Sequence, residues 1–248
     1  MEYSMSELVI LSGGQAEIRV SAFGGNIVRF IHKNEDVLAP RREVGERIRG
    51  GMHFCAPWFG SSQRGSKKHG FLRDTRAKNT DAKTREAQMG FRLVSREGYE
   101  WPLNCSATAK ISESGIFESI LRVERSAQDK TEGRAPILPG FHPYFAGRAS
   151  DVRVMIGNEE FRGFDENFKV VPFRGNPVMI FLSNRTIEIE LGGAFSKYEP
   201  YLVFWSDSPE EYFCLEPILQ APALFETNQG CYLDPGQELE ISMAITVR

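Results

Sequence analysis

In the stretch CSATAKIS, apolar and small side chains fall on every second residue. Cys105, Ala107, Ala109 and Ile111 share one face, and Ser106, Thr108, Lys110 and Ser112 share the other. The same two-residue period runs through TIEIEL, where Ile187, Ile189 and Leu191 alternate with Glu188 and Glu190. It recurs in LEISMAITV, where Leu239, Ile241, Met243, Ile245 and Val247 share a face, and in IFESILRVERS and QAEIRVSAF. Successive strand side chains point to opposite faces, so each segment covers a core on one side and meets water on the other. Glycine-bearing turns (SGGQ, FGGN, LGGA, DPGQ) separate the segments. Helical periodicity is scarce; TDAKTREAQM reads either as a short helix or as an exposed turn. The pattern predicts an all-β fold: a large antiparallel β-sandwich with long loops and few short helices. No internal repeat or linker-like tract interrupts it, so residues 1–248 are expected to form a single domain, a length at which all-β folds often remain undivided. Binding residues then belong on loops and on one open sheet face.

Composition narrows the function classes. Apolar residues make up 41% and charged residues 25%, the make-up of an ordinary soluble chain. A net charge of −3 argues against a general nucleic-acid binder. No apolar run approaches the ~20 residues that span a bilayer. The opening MEYSMSELVILSGGQ carries acidic residues and no basic segment before a long apolar stretch, so no signal peptide is expected. Cys55, Cys105, Cys214 and Cys231 form no CxxC pair and sit among strand-like residues. They read as buried free thiols of a cytoplasmic protein, and their spacing does not suit a zinc site.

Three segments break the alternation. IRGGMHFCAPWFGSSQRGSKKHGFLRDTRAK holds His53, His69 and the cations Arg64, Lys67, Lys68, Arg73, Arg76 and Lys78, with Asp74 the only acid from Ser61 to Lys78. Two readings stand: a solvated basic loop, or an anion site whose planar guanidinium groups suit phosphate or carboxylate. GFHPYF places His142 among aromatics, either as a packed core histidine or as a proton-transfer group in a partly desolvated pocket. In EYFCLEPILQAPALF, Glu216 lies in an apolar run ahead of Pro217. It is either an outward-facing edge glutamate or a carboxylate at a pocket mouth, its affinity for a proton raised by apolar neighbours.

Taken in order, these segments resemble the galactose-mutarotase-like superfamily, the aldose 1-epimerases, and most closely the branch acting on hexose 6-phosphates. GGNIVRFIHKNEDVLAP is similar to that family's first strand pair, IRGGMHFCAPWFG to its RGGIPxxxPxFG stretch, and HGFLR to its HGFAR motif. GFHPYF and CLEP match its catalytic histidine and glutamate motifs, and LVFW and LDPGQELEISMAI fit its closing strands. The resemblance implies interconversion of α and β anomers of an aldose, with no cofactor and no metal. It makes His142 the general acid and Glu216 the general base, a pairing suited to neutral pH because the two groups titrate on opposite sides of weak acidity. By the same resemblance His69 lies near the ring oxygen or C1, and Arg49 and Arg73 hold a phosphate. Trp58 or Phe59 packs either on the sugar or in the core.

The sequence departs from the family at three points. Leu72 replaces a small residue, the tryptophan after HGFAR is missing from DTRAKNT, and NPVMIFLSN stands where an aspartate segment is usual. The expected partner is a small-molecule sugar or sugar phosphate, with no nucleic acid and no membrane, and the expected state a monomer or weak dimer. The competing reading is a non-catalytic carbohydrate-binding or regulatory β-sandwich.

Overall fold

A computed structural model describes residues 8–44, 47–63, 67–96, 98–227 and 229–248; Arg64 and the first seven residues lie outside this set. Two nine-stranded antiparallel sheets dominate. The first runs in the spatial order Leu8–Gly13, Ala16–Ser21, Ile27–His32, Glu35–Leu38, Gly140–Ala146, Tyr212–Ile218, Tyr201–Trp205, Lys169–Pro172, with Met52–Cys55 pairing both Ile27–His32 and Gly140–Ala146. The second runs Glu159–Phe161, Arg153–Ile156, Val178–Phe181, Thr186–Gly193, Glu238–Val247, Phe117–Glu124, Leu103–Ile111, Glu86–Leu93, Asn79–Ala82. The expected all-β sandwich is observed. Among the described residues, helix is confined to Pro222–Glu226 and three single 3₁₀ turns at Leu72–Asp74, Ala149–Asp151 and Ala194–Ser196.

The alternating segments all form strands, and their apolar faces meet. Phe117 stands opposite Ile245 and Leu121 opposite Ile241, while Ile189 pairs Ile245 from the other side. All five residues are buried. Phe30 of the first sheet meets Phe117 of the second edge to face, ring centroids 5.3 Å apart, in the shared core. The four cysteines are free and buried, as expected.

TDAKTREAQM is neither a helix nor a plain turn. It is the hairpin joining Asn79–Ala82 to Glu86–Leu93, with Thr80 opposite Met89 and Ala82 opposite Ala87. Its first strand is exposed edge, while Ala87, Met89, Phe91 and Leu93 bury on alternate positions. Helix propensity in a charged decapeptide is a weak preference, and pairing that buries four side chains outweighs it.

The first sheet's middle strands sort their side chains by face. Phe54 pairs Phe141, Phe145 pairs Phe213, and Phe204 pairs Leu215, all on the core side. The residues between them face the other way and build the site described below. Truncating Phe145, fully buried and stacked on Phe213 at 5.6 Å, removes core contacts the site strands depend on. Phe145→Ala is expected to cost about 3–5 kcal/mol, read as a lowered midpoint in urea unfolding; a midpoint unchanged from wild type contradicts this packing.

Candidate active site

Strand register assembles the site. His53 stands directly opposite His142 across paired strands. On the far side of the His142 strand, the pairs Gly140↔Ile218 and Tyr144↔Cys214 bracket His142 against Glu216. Glu216 in turn pairs Val203. One rung along, Tyr144, Cys214 and Trp205 repeat the row on the same face. The GFHPYF segment is thus an ordinary period-two strand: Phe141, Pro143 and Phe145 face the core, and His142 and Tyr144 face the site.

Within this row His142 Nε2 lies 3.5 Å from Glu216 Oε2. The His142 ring stacks on Tyr144, centroids 4.7 Å apart and 11° from parallel, and lies 4.5 Å from the His53 ring and 4.9 Å from the His69 ring. His142 and Glu216 are both almost fully buried, yet both line open space. A cleft of about 680 Å³ is bordered by His53, His69 and His142, and an adjoining hollow of about 260 Å³ is bordered by His69, His142 and Glu216.

His69 closes the row from a loop. Its backbone N–H donates to the Gly60 carbonyl at 2.6 Å, and the Gly60 N–H donates to His69 Nδ1 at 3.1 Å. With Nδ1 accepting, the ring proton sits on Nε2. The turn depends on Gly70, at φ +66°, where a Cβ would stand 2.2 Å from the Ala56 carbonyl oxygen. Burial, aided by Arg73 and Lys68, lowers the His69 pKa to about 2, so its imidazole is a neutral donor.

Burial also dominates the central pair. It pushes His142 well below the usual imidazole range, helped by His69, Lys68, Arg73 and Arg49. It pushes Glu216 well above the usual carboxyl range, opposed by Lys68. Burial thus favours the neutral form of each group, a protonated Glu216 beside an uncharged His142. A glutamate–imidazolium ion pair contains the same number of protons.

The cleft is cationic: Arg41, Arg47, Arg49, Lys68 and Arg73 line it, against Asp74, Glu166 and Asp207. Arg49 is committed. Its Nε donates to Asp207 at 2.9 Å, its Nη2 donates to the same carboxylate, and its guanidinium lies 5.4 Å over the Trp205 ring. Tyr212 donates its hydroxyl to the other Asp207 oxygen. Arg73 is less engaged: its Nη1 donates to His53 Nε2 at 3.5 Å, and its nearest paired carboxylate, Asp74, stands at 4.0 Å.

All five sequence-expected site residues thus border the cleft or its hollow. Phe59 borders the hollow and meets the His69 ring edge-on, whereas Trp58 is buried against Phe71 and Tyr99 and donates its indole N–H to the Lys67 carbonyl. The central residue not selected from sequence is His53. The signal was present, since it stands at the first proline position of the RGGIPxxxPxFG-like stretch, where Pro57 keeps the second. Tyr144 and Trp205 lay inside the GFHPYF and LVFW segments without being selected, and Asp207 had no sequence signal. NPVMIFLSN contributes the second-sheet strand Val178–Phe181 and borders neither space; the acids of the cleft come from elsewhere in the chain.

Two groups of metal-ligand type occur among the described residues, His53–His69–His142 and His142–Cys214–Glu216, with donor atoms within 4.8 Å. In the first, lone pairs on His53 and His69 already accept N–H donors. In the second, burial holds Cys214 and Glu216 protonated.

The two-sheet architecture is that of a mutarotase-like β-sandwich. Three solved structures share the fold. A candidate aldose 1-epimerase from Escherichia coli K12 is 15% identical, with 97% of this chain and 98% of that chain covered and a TM-score of 0.78. A galactose mutarotase related enzyme from Lactobacillus acidophilus is 13% identical, with 97% of each chain covered and a TM-score of 0.78. The galactose 1-epimerase from Lactobacillus acidophilus NCFM is 11% identical, with 100% and 97% covered and a TM-score of 0.70. No curated protein matches this chain. The sequence model of aldose 1-epimerases matches residues 7–157, more than half the chain, and the chain belongs to the aldose 1-epimerase family.

The buried histidines fix an acid-side instability. His53, His69 and His142 have lowered proton affinity in the fold, so the unfolded chain takes up protons below about pH 6.5 that the folded chain refuses. Their contribution is complete above that pH and is lost as the pH falls. Glu216, with raised affinity, acts oppositely: its contribution is present below about pH 4.3 and is lost as the pH rises. Three groups outweigh one, so stability is expected to fall between pH 6.5 and 5 by on the order of 2 kcal/mol per pH unit. Urea unfolding across that range checks it; His53→Gln should reduce the slope by about one proton, and an unchanged slope refutes the assignment.

Proposed function

We propose that this chain is an aldose 1-epimerase that interconverts the α and β anomers of a sugar bearing an anionic group, a hexose 6-phosphate being the best match. The observation that carries this reading is the 3.5 Å approach of His142 Nε2 to Glu216 Oε2 beside a cationic cleft.

Ring opening requires loss of the C1 hydroxyl proton and gain of a proton on the ring oxygen. Glu216 as carboxylate takes the first, and His142 as imidazolium gives the second, as the C1–ring oxygen bond breaks. The aldehyde rotates, and closure on its opposite face returns both protons. The pair begins and ends with a single proton, so no net proton exchange with solvent is needed and no cofactor enters. His69, a neutral donor through Nε2, hydrogen-bonds the ring oxygen or the C1 end. Arg73 and Lys68 face the phosphate, and Arg49, held by Asp207, shapes the rim beside Trp205. A phosphate monoester carries roughly −1.5 to −2 charges at pH 7, matching two cations. The hollow bordered by Phe59, Val203 and Trp205 accepts the apolar face of the ring.

Anomer exchange followed by polarimetry or exchange NMR tests the assignment. His142→Ala and Glu216→Gln are each expected to lower kcat/KM by about 10²–10⁴-fold, the usual worth of a positioned proton-transfer group, with the fold retained. Saturable sugar binding with no acceleration of exchange, for any aldose or aldose phosphate, replaces this reading with that of a carbohydrate-binding protein.

A further inference from the structure

A general acid needs a proton, and the surroundings of His142 disfavour one there. The groups facing it explain why. The neighbouring strand brings His53, and the loop above brings His69 and Lys68; Arg73 and Arg49 stand further out along the cleft. Every nearby cation and imidazole disfavours an imidazolium here. Among the described residues, Glu216 is the one carboxylate in contact. Asp207 is engaged by Arg49 and Asp74 by Lys67, and Glu166 lies on the cleft border. Burial keeps Cys55, Cys214 and the Tyr144 hydroxyl protonated and uncharged.

The cations do not act evenly on the pair. His142 borders the cleft that Lys68, Arg73 and Arg49 line, whereas Glu216 borders the adjoining hollow, which of these three cations only Lys68 reaches. Arg49 is already balanced by Asp207, and among the described residues Lys68 has no ion pair. Of the cations acting on His142, Arg73 and Lys68 are therefore the ones a ligand can neutralise, and neutralising Arg73, which lines the cleft beside His142 and not the hollow of Glu216, favours a proton on His142 over one on Glu216.

We propose that the anionic group of the substrate is a working part of the acid–base machinery: seated against Arg73 and Lys68, it moves the proton shared by the pair from Glu216 onto His142. This rests on the epimerase reading above and deepens it. The phosphate then does more than hold the sugar. A neutral aldose that fits the same hollow meets Glu216 as a carboxylic acid and His142 as a free base, the reverse of the required arrangement. A phosphorylated aldose generates carboxylate and imidazolium as it binds. The transfer is internal to the pair: the carboxyl O–H bond breaks, the imidazole N–H bond forms, and no proton is gained or lost. Discrimination between neutral and anionic sugars thereby appears in kcat and not only in KM. His53 sits between the two charges, accepting from Arg73 and lying against His142, so movement of Arg73 toward an anion also releases the His53 ring.

The test separates the anion from the sugar. Anomer exchange of glucose is followed by exchange NMR with and without saturating inorganic phosphite, alongside glucose 6-phosphate. Phosphite is expected to raise kcat for glucose at least tenfold and to move the His142 limb of the pH profile to higher pH. Arg73→Met, lacking the cation, is expected to raise glucose turnover without phosphite and to abolish the phosphite effect. Since the phosphite comparison is made on the wild-type protein, a poorly folded variant leaves it intact. Exchange of glucose that phosphite leaves unchanged or inhibits overturns this inference while leaving the epimerase standing. No exchange with either sugar overturns both.

Discussion

The site exists because a β-strand sends alternate side chains to opposite faces. In the three strands Met52–Cys55, Gly140–Ala146 and Tyr212–Ile218, that rule lets one short run do two jobs. Phe54, Phe141, Phe145, Phe213 and Leu215 fill the space between the sheets, while His53, His142, Tyr144, Cys214 and Glu216 occupy the reverse face. A slip of one residue in the register would send the aromatics to the cleft and the titratable groups into the core. The cost of burying an uncompensated charge makes such a slip prohibitive, so core packing and site geometry enforce each other.

Burial then sets the chemistry. A carboxyl and an imidazole in water share a proton in favour of the imidazole; here desolvation works against that preference, lowering the proton affinity of His142 and raising that of Glu216. The pair keeps its single proton but stores it on the wrong partner until charge in the cleft changes. The cations around it thus have a double effect, attracting an anionic ligand and holding His142 uncharged in its absence. Arg49 is excluded from most of this by its engagement with Asp207 and Tyr212, which leaves Arg73 and Lys68 as the responsive charges.

Much of this was legible in the sequence. The strands of the second sheet follow directly from CSATAKIS, TIEIEL and LEISMAITV, because one wet face and one dry face leave a clean period. His142 and Glu216 could be singled out because each interrupts an apolar run. What resisted reading has physical causes. TDAKTREAQM carries charged residues that suit a helix, and only its pairing partner decides otherwise. His53 was visible as a residue but not as a member of the site, since its role depends on a register with His142 that separates them by 89 positions along the chain. Trp205 ends the LVFW strand, whose pattern does not say which face meets the cleft, and Asp207 enters from the loop after it, where no local pattern marks it. The preference of the empty pair for its neutral form depends on burial on every side, which a one-dimensional pattern does not express.

The account stands or falls on how a sugar sits across the pair. A crystal structure of the protein with a hexose 6-phosphate is the most direct measurement. It is expected to show Glu216 within about 3.2 Å of the C1 hydroxyl and His142 within the same distance of the ring oxygen, with the phosphate against Arg73 and Lys68. A sugar bound elsewhere, or lying in the cleft with C1 turned away from both side chains, contradicts it.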